Sequence, residues 1–233
     1  MLDNQFKEIE FPNGKRYRFV PESSTIREYG IDFPSEFLDR NLLVTGFMCT
    51  GKSTLVAKAR GYDSALESKE SFSVIGDFTK DQEIWYDNPV VKELLEGKHK
   101  VAETHLLFYI GYRHNGTEIP VFVHHHPIYE RNYSELELDL TYLSITKSIK
   151  EKILLEFRLF EPNELIRLMR KRHDKEKTAP IEERHTYYPN LTPEHIKKGE
   201  YLLIQTADYF YQKGLDVYLR DSFSCVPLRF VDN

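Results

Sequence analysis

The chain has 233 residues, 40% of them hydrophobic, and a net charge of -5. That is enough apolar material for one α/β domain with a real core, and the acidic balance argues against a nucleic-acid partner. No apolar run approaches ~18 residues, so no membrane partner is expected, and two cysteines, Cys49 and Cys225, are too few for a disulfide framework and suit a reducing cytoplasm.

The N-terminal residues lack the basic-then-apolar build of a secretion signal. Residues 6–11 and 15–20 alternate apolar and polar side chains around Pro12-Asn13-Gly14. Asn-Gly between alternating runs predicts a two-stranded hairpin. A lone hairpin is marginal in water, so it packs on the main domain or on a second copy of the chain in a homodimer. Arg16 and Arg18 read as its solvated face.

Asn41-Leu42-Leu43-Val44-Thr45 is a short apolar run and predicts a buried strand. Gly46-Phe47-Met48-Cys49-Thr50-Gly51-Lys52-Ser53 follows, a complete G-x-x-x-x-G-K-[ST] phosphate loop. Its glycines let several N–H groups converge on one concavity that suits a triphosphate. Lys52 reaches the β/γ-phosphates and the Ser53 hydroxyl ligates Mg²⁺. Residues 53–60 predict a helix stopped by Gly61, and its N-terminus adds attraction for phosphate. The expected nucleotide-binding set is Gly46, Met48, Cys49, Thr50, Gly51, Lys52, Ser53 and Thr54.

Residues 72–78 predict a second strand with Asp77 at its carboxyl end. A carboxylate there can take a proton from an attacking hydroxyl or hold the metal; a solvated loop Asp is an equal reading of that position. Trp85, the single tryptophan, is placed either to stack on a base or to pack in the core. Asp87-Asn88-Pro89 opens a helix that Gly97 stops. The stripe Leu106, Leu107, Tyr109, Ile110 predicts a second helix over 101–112. Residues 119–123 predict a third strand that runs into His124-His125-His126-Pro127. Adjacent strand residues face opposite sides, so these histidines cannot all hold one ion; one of them can donate to a phosphate or a substrate hydroxyl.

A helix is expected over 140–149 and a fourth strand over 153–160. Pro162-Asn163-Glu164 opens a helix carrying Arg167, Arg170 and Arg172, followed by a charged stretch at 174–178. These arginines stand where a lid would meet a triphosphate, although a basic helix end is also favoured by the helix dipole alone. Thr192-Pro193 starts a long helix that Gly214 stops, and 216–221 predicts the fifth strand.

This order of pieces resembles the P-loop kinases of nucleosides and nucleotides, in particular the deoxynucleoside kinase and thymidylate kinase group, over residues 41–221. The resemblance implies an α/β, three-layer P-loop NTPase fold with a mostly parallel five-stranded sheet flanked by helices. Residues 1–40 would then be an extension with a β-hairpin, and 41–233 the kinase domain with its lid at 167–190. It also implies ATP and Mg²⁺ as cofactors, with Lys52, Asp77, Arg170 and Arg172 catalytic and Ser53 and Asp77 on the metal. Residues 73–78 resemble the family strand that ends in the catalytic base, which makes Asp77 the base. Residues 103–113 resemble the helix with a base-reading glutamine, where His105 stands instead. Residues 124–133 resemble the Asp-Arg-Ser segment, here replaced by His125-His126-Pro127 or by Glu130-Arg131. A nucleoside or nucleoside monophosphate acceptor would meet Asp77, Trp85, His105, Arg113, His125, His126 and Arg131. The departures keep two alternatives open: a kinase acting on a nucleic-acid end, and a nucleotide-binding regulatory protein without catalysis.

Overall fold

The computed structural model describes residues 6–10, 14–47, 49–60, 94–103, 111–114, 117–120, 137–139, 147–178, 180, 191–221 and 226–231. Its largest sheet has seven strands: β1 (Lys7–Glu10), β2 (Arg16–Pro21), β5 (Asn41–Gly46), β6 (Val101–Glu103), β10 (Ile153–Arg158), β11 (Asp216–Arg220) and β12 (Leu228–Val231). They lie in the order β1-β2-β12-β11-β10-β5-β6. A two-stranded sheet pairs β3 (Thr25–Glu28) with β4 (Ile31–Pro34), and a three-stranded sheet joins β7 (Gly111–His114), β8 (Thr117–Pro120) and β9 (Glu137–Asp139). The helices are α1 (Lys52–Arg60), α2 (Lys147–Lys152), α3 (Pro162–Glu176) and α4 (Pro193–Gln212).

This architecture corrects the expected mostly parallel five-stranded sheet. Among the described residues, β11, β10, β5 and β6 pair parallel, while β1, β2, β12 and β11 pair antiparallel. The cause is β12. Leu228-Arg229-Phe230-Val231 is short enough to read as a tail, yet it fills the slot between β11 and β2. That insertion draws the N-terminal hairpin into the main sheet, with β1 and β2 in register at Glu10↔Arg16. The β7–β8–β9 ladders are antiparallel as well, so residues 119–120 of the strand expected over 119–123 belong to a separate sheet, and 121–123 lie outside the described residues.

The second correction lies at 101–112. Val101-Ala102-Glu103 is a strand beside β5, in register at Leu42↔Val101 and Val44↔Glu103, and 111–114 is β7. Pairing with β5 makes a strand of residues 101–103; residues 104–110, which carry the apolar stripe, lie outside the described residues. The β3–β4 turn at Tyr29 (φ 51) and Gly30 (φ 76) places two successive residues in the left-handed region, as a tight hairpin requires.

β5 and β10 are buried at every position. A strand covered on both faces needs apolar side chains throughout, which is why both read as continuous runs. One face packs Leu42, Val44, Leu154 and Tyr218 against α1 and the Phe33–Phe37 stack. The other packs Leu43, Leu155, Phe157 and Val217 against α3 and α4. Both long helices start on side-chain caps. Glu161 accepts from the Glu164 N–H before Pro162, and Thr192 shares a capping box with His195. The charged residues expected in an irregular stretch after 173 continue α3 through Glu176.

Candidate phosphate-binding site

The loop at 46–53 joins the carboxyl end of β5 to the first turn of α1. A Cβ on Gly46 would lie 2.4 Å from the Arg158 carbonyl oxygen, so β10 approaches the loop too closely for any side chain there. Cys49 (φ 64) and Gly51 (φ 77) are both left-handed. Residues alternating into that region curl successive N–H groups toward one side. The Leu55 N–H makes the first turn's bond to the Gly51 carbonyl, 3.0 Å. The N–H groups ahead of it lack partners within the helix, as at every helix start.

Lys52 is only 4% exposed, and its Nζ donates to the Gly46 and Phe47 carbonyls at 2.9 and 2.6 Å. Burial lowers its pKa to about 8; Glu103 opposes that shift, while Arg158 and Arg172 add to it. Thr50 Oγ1 donates to the same Phe47 carbonyl at 2.7 Å. Phe47 is itself fixed: it is buried, and a Cβ on Gly199 of α4 would come within 2.3 Å of its ring.

Ser53 Oγ donates to both oxygens of Glu103, at 2.9 and 3.0 Å. Glu103 ends β6, the parallel neighbour of β5, which sets its carboxylate beside the first turn of α1 where Ser53 lies. Sequence reasoning missed Glu103. Its only local signal is an apolar pair before an acid, and the helical stripe downstream masked it.

Two groups of charges flank the loop. Behind it, Glu156 and Arg158 on β10 and Arg220 on β11 form a buried triad. Arg158 Nε donates to Glu156 at 2.8 Å, and Arg220 Nε and Nη2 donate to it at 3.0 and 2.9 Å. Burial pushes the Glu156 pKa up, but the two arginines prevail and hold it at about 2. Arg158 Nη1 also donates to the Thr50 carbonyl at 3.3 Å, and its buried Nη2 has no acceptor among the described residues. In front, α3 turns Leu165, Met169, Arg172 and Glu176 to one side. Arg172 Nε donates to Glu176 at 2.7 Å, and its side chain reaches the Cys49 thiol. Burial raises the Cys49 pKa against the pull of Arg172, which keeps the sulfur a neutral thiol.

The structure therefore gathers Gly46, Cys49, Thr50, Gly51, Lys52 and Ser53 with Glu103, Arg158 and Arg172. Thr54 is exposed on α1. Arg170 is exposed on α3, and Arg167 faces solvent paired with Glu164. Met48, Asp77, Trp85, His105, His125, His126 and Arg131 lie outside the described residues, and Arg113 belongs to β7, described as backbone alone. Among the described residues no three His, Cys, Asp or Glu side chains gather as a metal cluster, and no helix is long and apolar enough to cross a membrane.

Fold and loop together define a mixed α/β protein with a candidate phosphate site at a strand-to-helix junction. Comparisons with models of protein families, with curated proteins and with solved structures return no match.

Proposed function

We propose that the chain binds magnesium–ATP at residues 46–54 and transfers the terminal phosphoryl group to a nucleoside or nucleoside monophosphate. The observation that carries this reading is the Ser53–Glu103 pair, 2.9 and 3.0 Å apart, between the first turn of α1 and the end of β6. Magnesium prefers one or two protein oxygens and fills its remaining positions with water and phosphate. A hydroxyl beside a carboxylate, next to a phosphate loop, is such a donor set, and a third acidic ligand is not required. When bound, the ion would neutralise charge that builds on the phosphoryl oxygens.

The chain's own groups divide the remaining work. The loop N–H groups and the start of α1 orient the phosphates. Lys52 leaves at least one of its two carbonyls to meet them. Arg172 of α3 stands beside Cys49 of the loop and supplies a planar, always-charged donor. Acceptor recognition falls to Asp77, Trp85, His105, Arg113, His125, His126 and Arg131, with Asp77 as the base. A reducing, ATP-rich cytoplasm is the setting this chemistry needs, in keeping with the free Cys49 thiol.

The test is ATP affinity with and without magnesium, followed by turnover against a panel of nucleosides and nucleoside monophosphates. Magnesium should tighten ATP binding in the parent and fail to do so in Glu103→Gln, which keeps the hydrogen-bonding shape and loses the charge. A magnesium effect of the same size in both proteins would overturn the metal assignment. Binding without turnover on every acceptor would instead point to a nucleotide-binding protein without catalysis.

A further inference from the structure

The buried triad is larger than the sheet needs. A single Arg–Glu pair would neutralise Glu156, and Arg220 already meets both of its carboxylate oxygens. Arg158 nevertheless stands beside it, 1% exposed, with one edge on Glu156 and the other on the Thr50 carbonyl. Thr50 is the residue before Gly51. In a planar trans peptide the C=O of one residue and the N–H of the next point in opposite directions. A donor that holds the Thr50 carbonyl from behind therefore turns the Gly51 N–H to the other side of the loop. The left-handed Gly51 (φ 77) carries the chain from that peptide into α1.

We propose that Arg158 is a positioning residue for the phosphate loop, anchored by Glu156 and holding the Thr50 carbonyl so that the Gly51 N–H faces the phosphate. The inference rests on the reading of residues 46–53 as a phosphate site. Arg158 does not touch the ligand; it sets the direction of a backbone donor that does. Arg220 belongs to the same triad, but its Nη2 also donates to the Asp32 carbonyl, 2.7 Å away in β4. Its bonds to Glu156 and Asp32 join β10 and β4, where those of Arg158 to Glu156 and Thr50 join β10 and the loop, and this difference separates positioning from support of the sheet.

The experiment compares Arg158→Met with Arg220→Met. The readouts are affinity for inorganic tripolyphosphate by titration calorimetry and thermal stability on the same samples. Both variants should melt lower than the parent. Arg158→Met should bind tripolyphosphate about tenfold or more weakly, the scale of one lost charge-assisted contact, while Arg220→Met should bind within about twofold of the parent. Equal losses would reduce Arg158 to a structural role, and parent-like affinity in Arg158→Met would overturn the proposal. If Arg158→Met does not fold, Arg158→Lys decides. Lysine keeps the charge but cannot bridge Glu156 and Thr50 together, so affinity should stay several-fold low; full recovery would show that charge alone matters. A parent protein that binds no tripolyphosphate, or binds it equally well as Lys52→Ala, would sink the phosphate-site reading itself and is distinct from either result.

Discussion

The two halves of the seven-stranded sheet solve the same problem in opposite ways. In the parallel half, β5 and β10 are buried on both faces, and Lys52 of α1, Glu156 and Arg158 of β10 and Arg220 of β11 are all buried. In the antiparallel half, β2 alternates exposed Arg16 and Arg18 with buried Tyr17 and Phe19, and Arg16 pairs with Glu10 at the surface. A charge kept in solvent costs little and contributes little. A charge taken out of solvent needs a close counter-charge, and that pairing fixes geometry. The candidate site sits in the half where geometry is fixed.

The largest test of that contrast is Glu156→Gln. It leaves Arg158 and Arg220 buried without their shared counter-charge and should cost about 3–5 kcal/mol in urea unfolding. The loss carries a pH signature. The Glu156 pKa is held at about 2, below its ordinary 4.5. Its contribution is therefore fully present above pH 4.5 and fades as pH falls from 4.5 to about 2. Stability should drop less steeply across that window in Glu156→Gln than in the parent; parallel curves would mean that the triad's charges do not contribute.

Next comes Lys52→Ala. If the parallel half carries the chemistry, phosphoryl transfer should fall on the order of a hundredfold or more, since electrostatic stabilisation dominates such reactions. Unchanged turnover would move the chemistry off the loop.

Gly199→Ala probes the contact between α4 and the loop. The new methyl meets the Phe47 ring, and overpacking of this kind costs about 1–3 kcal/mol. Combining it with Phe47→Leu should recover much of the loss of melting temperature, because the smaller side chain vacates the contact. An additive double mutant would show that the two residues do not meet.

The smallest effect belongs to the antiparallel half. Lys7 and Asp221 pair at 3.1 Å with side chains 34% and 39% exposed. Lys7→Ala should cost about 1 kcal/mol or less, and added salt should shrink the difference. A loss as large as that of Glu156→Gln would erase the distinction between the halves.

The amino-acid sequence determined by itself whatever depends on neighbours along the chain. Asn-Gly between alternating residues announced the β1–β2 hairpin. Two apolar runs announced β5 and β10, Pro162 marked the start of α3, Thr192 and Gly214 bounded α4, and the glycine spacing at 46–53 marked the loop. These signals are local: backbone preference, periodicity and turn chemistry act within a few residues. Only the tertiary structure decided the rest. Four residues at 228–231 carry too little pattern to declare a strand, yet pairing with β11 and β2 converts the sheet from parallel to mixed. Val101-Ala102 becomes a strand because β5 offers an open edge, and that pairing alone brings Glu103 to Ser53 across 50 residues of chain. Arg158 and Arg220 look like ordinary surface charges until β10 and β11 lie side by side and bury them around Glu156. Cross-strand partners are set by which edges remain to be covered, and that competition is settled by the whole chain at once.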